Sequence, residues 1–250
     1  MSTPEPRILL AARRYWSDLA SHAGRLAATR GLITALCEFL RDSTPARLRQ
    51  RYGDAEYDWD YRVNTTSAAV GWRDRLLGAF HSLYQPTEPA VFHVMLGTLA
   101  RDFDLNYGDF TFLDLGSGKG RTLLMASDYP FRRIVGVELL PALERIAQEN
   151  LRCYHSESQK CFALESVCAD ASAFPFPDVP LVVYLFNPFP ESVMRRVVAN
   201  LEQSLRANPR PTYVLYYNPL LEHVLVETCS LRKVIGTHQY SAFVGAAGSR

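Results

Sequence analysis

The chain has 250 residues, 48% of them apolar, and a formal net charge of +1. That is enough for one full hydrophobic core with an appendage, and the balanced charge excludes a global field drawing nucleic acid or an anionic membrane. No apolar run approaches the ~20 residues that cross a bilayer. Five cysteines (Cys37, Cys153, Cys161, Cys168, Cys229) form no CxxC pair, so neither a zinc site nor a disulfide framework is indicated. Reduced thiols in a cytoplasm fit this pattern.

The first 51 residues hold nine arginines and four acids. A mitochondrial transit peptide should be acid-poor, and Asp18, Glu38 and Asp42 argue against one. From Ile8 to Leu40 the apolar residues recur at helical spacing, with Gly31 separating two predicted helices. Ser43 or Thr44 before Pro45 is a helix-start signature. The stretch "GDAEYDWDYRVNTT" is polar and aromatic and reads as a loop. Helix is predicted again over Val70–Leu83 and, after a turn, over Glu88–Asp102.

The rhythm then changes to strand–helix alternation. Strands are predicted at Thr111–Leu115, Arg133–Val137, Glu165–Cys168, Leu181–Phe186 and Thr212–Tyr217. Helices are predicted at Arg121–Ser127, Pro141–Cys153, Glu191–Arg206 and Leu220–Thr228. Leu231–Gly236 and Tyr240–Val244 close the chain with almost nothing between them. Apolar strands alternating with helices imply a parallel sheet covered on both faces; a closing pair without a crossover helix should be antiparallel. The division this implies is a helical N-terminal extension and substrate lid over 1–83 and an α/β domain over 84–250.

The chemistry concentrates in "FLDLGSGKGR", Phe112 to Arg121. A phosphate-cradling loop needs GxxxxGK followed by Ser or Thr, with its lysine opening a helix. Here Lys119 lies between two glycines and Arg121 follows. A dinucleotide loop needs GxGxxG, but the third glycine falls at 120. The pattern is D-x-G-x-G-x-G after a strand. Twenty residues beyond Gly118, the second strand ends in Glu138, where an acid accepts hydrogen bonds from ribose hydroxyls. A further acid, Asp170, closes "SVCAD".

This combination resembles class I (seven-strand) S-adenosylmethionine-dependent methyltransferases, over roughly Tyr84 to Val244. The resemblance implies a Rossmann-like α/β fold: a mostly parallel seven-stranded sheet whose last strand is antiparallel, preceded here by a helical extension. It also implies S-adenosyl-L-methionine as cofactor. Asp114, Gly116, Ser117, Gly118, Gly120, Arg121, Glu138, Asp170 and Ala171 become its candidate contacts. Asp114 would serve the ammonium end, or else accept from the loop's own N–H groups. Side chains at Gly116 and Gly118 would block the approach. The helix beginning near Gly120 would offer free N–H groups to the carboxylate. Asp170 would accept from the adenine amino group.

Two further motifs concern the acceptor. "FNPFP" resembles the [DN]PP[YF] signature of methyltransferases that modify amino groups, which makes Asn187, Pro188 and Phe189 candidate catalytic residues. Phe189 stands where that signature has a second proline. The competing reading is that Asn187 caps the next helix. "YQPTEPAVFHVML" is similar to an element in some seven-strand protein-lysine methyltransferases, which adds Tyr84 and Thr87 as cofactor contacts; Thr87 also reads as a helix N-cap. Asp58, Asp60, Tyr61 and Thr65 are candidates for a lid. Lys119 and Arg121 alone, without a basic stripe, do not make a nucleic-acid footprint.

The resulting expectation is a methyltransferase acting on a nitrogen, such as a protein lysine. Its rivals are a small-molecule methyltransferase and a non-catalytic cofactor-binding module. No metal is expected.

Overall fold

Seven short strands pair into one sheet in the order β3-β2-β1-β4-β5-β7-β6. They are β1 (Thr111–Leu115), β2 (Arg133–Glu138), β3 (Leu164–Cys168), β4 (Leu181–Phe186), β5 (Thr212–Tyr217), β6 (Leu231–Gly236) and β7 (Tyr240–Gly245). The computed structural model describes residues 12–13, 15–17, 19–21, 24–42, 55–65, 86–186 and 189–245. The chain divides into two compact units, one of residues 1–57 and 66–85, the other of 58–65 and 86–250. Residues 58–65, which the sequence placed in the extension, pack within the sheet-bearing unit.

β1 to β5 are mutually parallel. β7 runs antiparallel to both β5 and β6, as the class I resemblance implies. After β3 the chain returns past β1 to build β4 on its far side, so the order reverses between β1 and β4. Sheets of this kind bind ligands outside the carboxyl ends of the strands at that reversal.

Burial explains the strand sequences. In "LVVYLF" of β4, Leu181 to Leu185 are all buried, because helices cover both faces. On one face, helix α6 (Glu191–Ala207) supplies Met194, Val197, Val198, Leu201 and Leu205 to the core. On the other, α3 (Pro89–Phe103) buries Phe92, Met95, Leu96 and Leu99. There Phe92 meets the rings of Phe112 and Tyr184 edge-on, with centroids 5.9 and 5.6 Å away. Each such side chain contributes on the order of 1.5–3 kcal/mol through burial. The remaining helices are α1 (Arg25–Asp42), α2 (Ala55–Tyr61), α4 (Arg121–Ala126), α5 (Pro141–Cys153) and α7 (Glu222–Val226).

Three local expectations are corrected. In the N-terminal unit the break falls at Gly24, whose φ is +84°, and α1 runs through Gly31. Gly31 is instead a close-packing position: a Cβ there would lie 3.0 Å from a methyl of Leu19. The expected loop at 55–61 is helix α2, ended by Arg62 at φ +54°. Its aromatic and acidic residues hid it, because it carries no apolar stripe and Trp59 is exposed. At the start of α3 the N-cap is Glu88, with no side-chain cap bond, and the Thr87 hydroxyl is used elsewhere. The helix signals at 43–45 and 70–83 lie outside the described residues.

Candidate functional site

The turn between β1 and α4 carries the glycines. Gly116, Gly118 and Gly120 have φ of +85°, +56° and +81°, a region where a Cβ is strained. Gly120 is also a packing position, since a Cβ there would stand 3.2 Å from that of Ala147 on α5. The turn satisfies much of its own backbone. The Val137 carbonyl accepts from Gly116 N–H (2.8 Å) and Ser117 N–H (3.1 Å), and the Ser117 carbonyl accepts from Gly120 N–H (2.9 Å). Gly118 N–H donates to Glu138 Oε2 at 2.8 Å. Of the N–H groups at the helix start expected to face a ligand carboxylate, that of Gly120 is therefore already paired. The Ser117 side chain lies against Gly136: a Cβ built there would meet Ser117 Oγ at 2.7 Å. That hydroxyl is buried without a hydrogen-bond partner.

Two acids stand at the ends of neighbouring strands. Asp114, buried near the end of β1, accepts a hydrogen bond from the Thr122 hydroxyl, not from the loop N–H groups. Burial pushes its carboxyl up to about 7, the Thr122 bond opposes this, and the charge of Glu138 adds to it. Glu138, buried at the end of β2, accepts from Gly118 N–H and, through Oε1, from Leu140 N–H at 2.8 Å. Burial raises its pKa as well, against those backbone bonds. Each carboxylate oxygen has two lone pairs, so both acids keep acceptor capacity.

Across the strand reversal, Tyr184 of β4 sits opposite Asp114 in register. Its buried hydroxyl bonds the Thr87 hydroxyl at 2.9 Å. Thr87 is thus tied to β4 through the residue in register with Asp114, instead of capping α3. Burial moves the Tyr184 phenol well above its ordinary range. Two residues further along, at the strand ends, the Phe186 and Tyr217 rings are 4.5 Å apart.

Asp170 is exposed and closes its own turn. Its Oδ1 accepts from Ser172 N–H at 2.9 Å and from the Ser172 hydroxyl at 2.7 Å. Ala171 is buried in the core beside it. Phe189 is half-buried and packs against the main core cluster. Tyr84, Asn187 and Pro188 lie outside the described residues. The N-cap position of α6 is Pro190 and not Asn187.

Arg121 departs from its expected place among the cofactor contacts. Its side chain is buried and faces residues 58–65: Nε donates to Thr65 Oγ1 at 2.7 Å, and Nη2 lies 3.5 Å from Asp58 Oδ1. Asp58 also accepts from Thr65 N–H at 2.8 Å and from the Thr65 hydroxyl. Lys119, likewise buried, donates from Nζ to Asn64 Oδ1 at 2.9 Å. Desolvation lowers its pKa to about 8, partly offset by Asp58 and reinforced by Arg121. Asn150 of α5 joins the two segments, donating to the Lys119 carbonyl (2.8 Å) and the Asn64 carbonyl (2.9 Å) and accepting from Asn64 N–H (2.8 Å). Thr65 and Asp58 were singled out by sequence as a lid; here they hold cations of the protein itself. Tyr61 stacks near Tyr154 at 5.2 Å, and Asp60 is exposed.

Sequence reasoning missed Asn64, Asn150 and Tyr184. A signal existed for two of them. Asn150 continues the buried stripe of Leu143 and Ala147, where a polar residue needs partners. Tyr184 places a hydroxyl inside a strand covered on both faces. Among the described residues no group of three or more potential metal ligands occurs, and no helix is long and apolar enough to cross a membrane.

Residues 113–208, from β1 to just beyond α6, match the family model described as a methyltransferase domain. No curated protein matches the chain. Among solved structures it is similar to the ribosomal protein L11 methylase of Lactobacillus delbrueckii subsp. bulgaricus, at 12% identity and TM-score 0.43, over 63% of this chain and 78% of that one. It is similar to an RNA methyltransferase from Salinibacter ruber in complex with S-adenosyl-L-homocysteine, at 20% identity and TM-score 0.38, over 64% and 92%. It is also similar to TrmN from Thermus thermophilus, at 17% identity and TM-score 0.43, over 65% and 49%.

Proposed function

We propose that this chain, which has the Rossmann-like fold of class I methyltransferases, transfers a methyl group from S-adenosyl-L-methionine to a nitrogen acceptor, with a protein lysine as the leading class. The observation that carries the cofactor is the pair of buried acids flanking one glycine turn beside the strand reversal. Asp114, held up to about 7 by burial, suits an ammonium group, which would return it to its charged form. Glu138 at the end of β2 suits a ribose diol, through the acceptor capacity left beside its two backbone donors.

Bound there, the cofactor supplies an electrophilic methyl group on a sulfonium. The protein supplies orientation, which is the main demand of such a transfer. Thr87 is tied to Tyr184, the residue in register with Asp114 across the strand reversal. The Phe186–Tyr217 pair at the ends of β4 and β5 offers an aromatic wall in keeping with an amine-bearing acceptor. The similarity of "FNPFP" to amino-group methyltransferases supports nitrogen: Asn187 and the Pro188 carbonyl would accept the amine hydrogens. A lysine acceptor must shed its proton from a reference pKa of about 10.4.

Thermal denaturation with added ligands tests the cofactor. S-adenosylmethionine and its demethylated product should both raise the melting temperature, and NAD and ATP should not. At 100 times the dissociation constant the stabilisation is about 2.7 kcal/mol. A shift with NAD alone overturns the reading. Transfer of a tritiated methyl group in lysate, followed by protease treatment of the product, tests the acceptor. Label that survives protease at small-molecule size favours a small acceptor, and cofactor binding with no label at all favours a non-catalytic module.

A further inference from the structure

Lys119 and Arg121 flank Gly120 and are both deeply buried, and both side chains are engaged by residues 58–65. Burying two cations is costly, and such groups add little stability compared with apolar side chains of similar size. Their value lies in geometry. Lys119 bonds Asn64 and Arg121 bonds Thr65, so consecutive residues of the 58–65 segment grip both neighbours of one glycine. Asn150 fastens the same place from below the turn. Both hydrogens of its amide are used, one on the Lys119 carbonyl and one on the Asn64 carbonyl, and its oxygen receives Asn64 N–H.

The peptide so held is the one most in need of holding. It leaves Lys119, which lies between two glycines at positive φ, where the backbone has the fewest steric restraints. Rotation there would pull on Gly118, whose N–H donates to Glu138, and on Gly120, whose N–H closes the turn onto Ser117. A connected path therefore runs from the 58–65 segment, through Asn150 and Lys119, to the acid that receives the ribose.

We propose that Asn150, together with the strap formed by Asp58, Asn64 and Thr65, is a positioning device for the cofactor: its docking on Lys119 and Arg121 fixes the glycine turn and thereby sets cofactor affinity. This rests on the cofactor reading above. The strap acts through the turn, so its loss raises the cofactor KM and leaves turnover at saturating cofactor nearly unchanged.

The test uses the full chain and titrates S-adenosylhomocysteine by calorimetry, with melting temperature measured on the same preparations. Asn150→Leu keeps the side-chain size and removes every hydrogen bond; it should weaken binding at least tenfold. Asn64→Ala should weaken it three- to tenfold. Thr65→Val should do the same, and Thr65→Ser, which keeps the hydroxyl, should restore affinity to within twofold of wild type. Leu205→Ala, a core change on α6, should lower the melting temperature with no change in affinity. If wild type binds and Asn150→Leu and Thr65→Val bind within twofold of it, the inference is overturned. If Asn150→Leu does not fold, Asn64→Ala and Thr65→Val decide in the same way. If wild type itself binds no S-adenosylhomocysteine, the cofactor reading fails and the inference with it. A loss of affinity in Leu205→Ala matching that in the strap variants would reduce the effect to general stability and overturn the proposal.

Discussion

Two sets of buried charges meet at one glycine turn, and they are treated in opposite ways. The acids Asp114 and Glu138 draw their hydrogen bonds from neutral donors, a threonine hydroxyl and backbone N–H groups, and burial pushes both pKa values up. The cations Lys119 and Arg121 are engaged by side chains of the 58–65 segment, including the carboxylate of Asp58. The acids are thus at elevated energy when charged, and a ligand with a cation and hydroxyl groups would relieve that. The cations already have their partners inside the protein. Burial also takes both cations off the surface, where a nucleic acid would meet them. The lesson is that charge beside a ligand loop is informative only together with what already neutralises it.

The largest effect expected from this contrast lies in the turn itself. Gly118 has φ of +56°, a region where a β-branched residue is an outlier. Gly118→Val should cost roughly 1–3 kcal/mol of stability through backbone strain and should abolish measurable S-adenosylhomocysteine binding. A folded variant that retains affinity within twofold of wild type separates the turn from the ligand.

Next comes an asymmetry in the cation pair. Asp58→Ala leaves the Arg121 guanidinium buried beside a lost carboxylate, and removing one partner of a buried pair costs about 3 kcal/mol. Arg121→Met removes the charge and keeps an apolar stem, while Asp58 keeps its two bonds from Thr65. It should cost clearly less. Urea unfolding of both variants checks the ranking. Equal losses would mean that Asp58 serves Thr65 and not the cation.

The sheet was legible in the sequence to within a residue or two at most strand ends, because β4 and most of β5 are apolar runs and the shorter strands alternate with helical patterns. The glycine turn and its two acids were legible because their chemistry is written in neighbouring residues at fixed spacing. The strap was not. Asn64 and Lys119 are 55 positions apart and Asn64 and Asn150 are 86 apart; Asn64 and Lys119 considered alone read as solvated, and the buried stripe that flags Asn150 does not name its partners. Helix α2 was missed for a related reason: its C-terminal residues are held by polar contacts and a tyrosine pair, which leave no hydrophobic period. Thr87 illustrates a third limit. Its position suits a helix cap, and only the placement of β4 shows that Tyr184 has the stronger claim on its hydroxyl.

The finest test of the contrast is the proton on Asp114. Its folded pKa of about 7 lies above the ordinary value of 3.8 because burial disfavours the carboxylate. Below about pH 4 both folded and unfolded chains keep this proton, and the group then favours the fold. As pH rises towards 7 the unfolded chain loses the proton first, so that contribution to stability is lost through this window. Cofactor binding has the opposite dependence. An ammonium needs the ionised acid, so affinity should rise with pH below about 7 and level off above it. Between pH 6 and 7.5 the ionised fraction of a group with pKa near 7 grows roughly tenfold, and the association constant should follow. Glu138 acts on Asp114 and Asp114 on Tyr184, and both partners are raised too, so the slope belongs to Asp114 only if it disappears on substitution. Asp114→Asn should bind more weakly at every pH and with a flat profile. Calorimetry in two buffers of different ionisation enthalpy counts the protons directly: binding at pH 6 should release close to one in wild type and close to none in the variant. A flat wild-type profile with no proton release would show that Asp114 is already ionised or does not meet the ligand, and the contrast between the two charge sets would then lose its functional meaning.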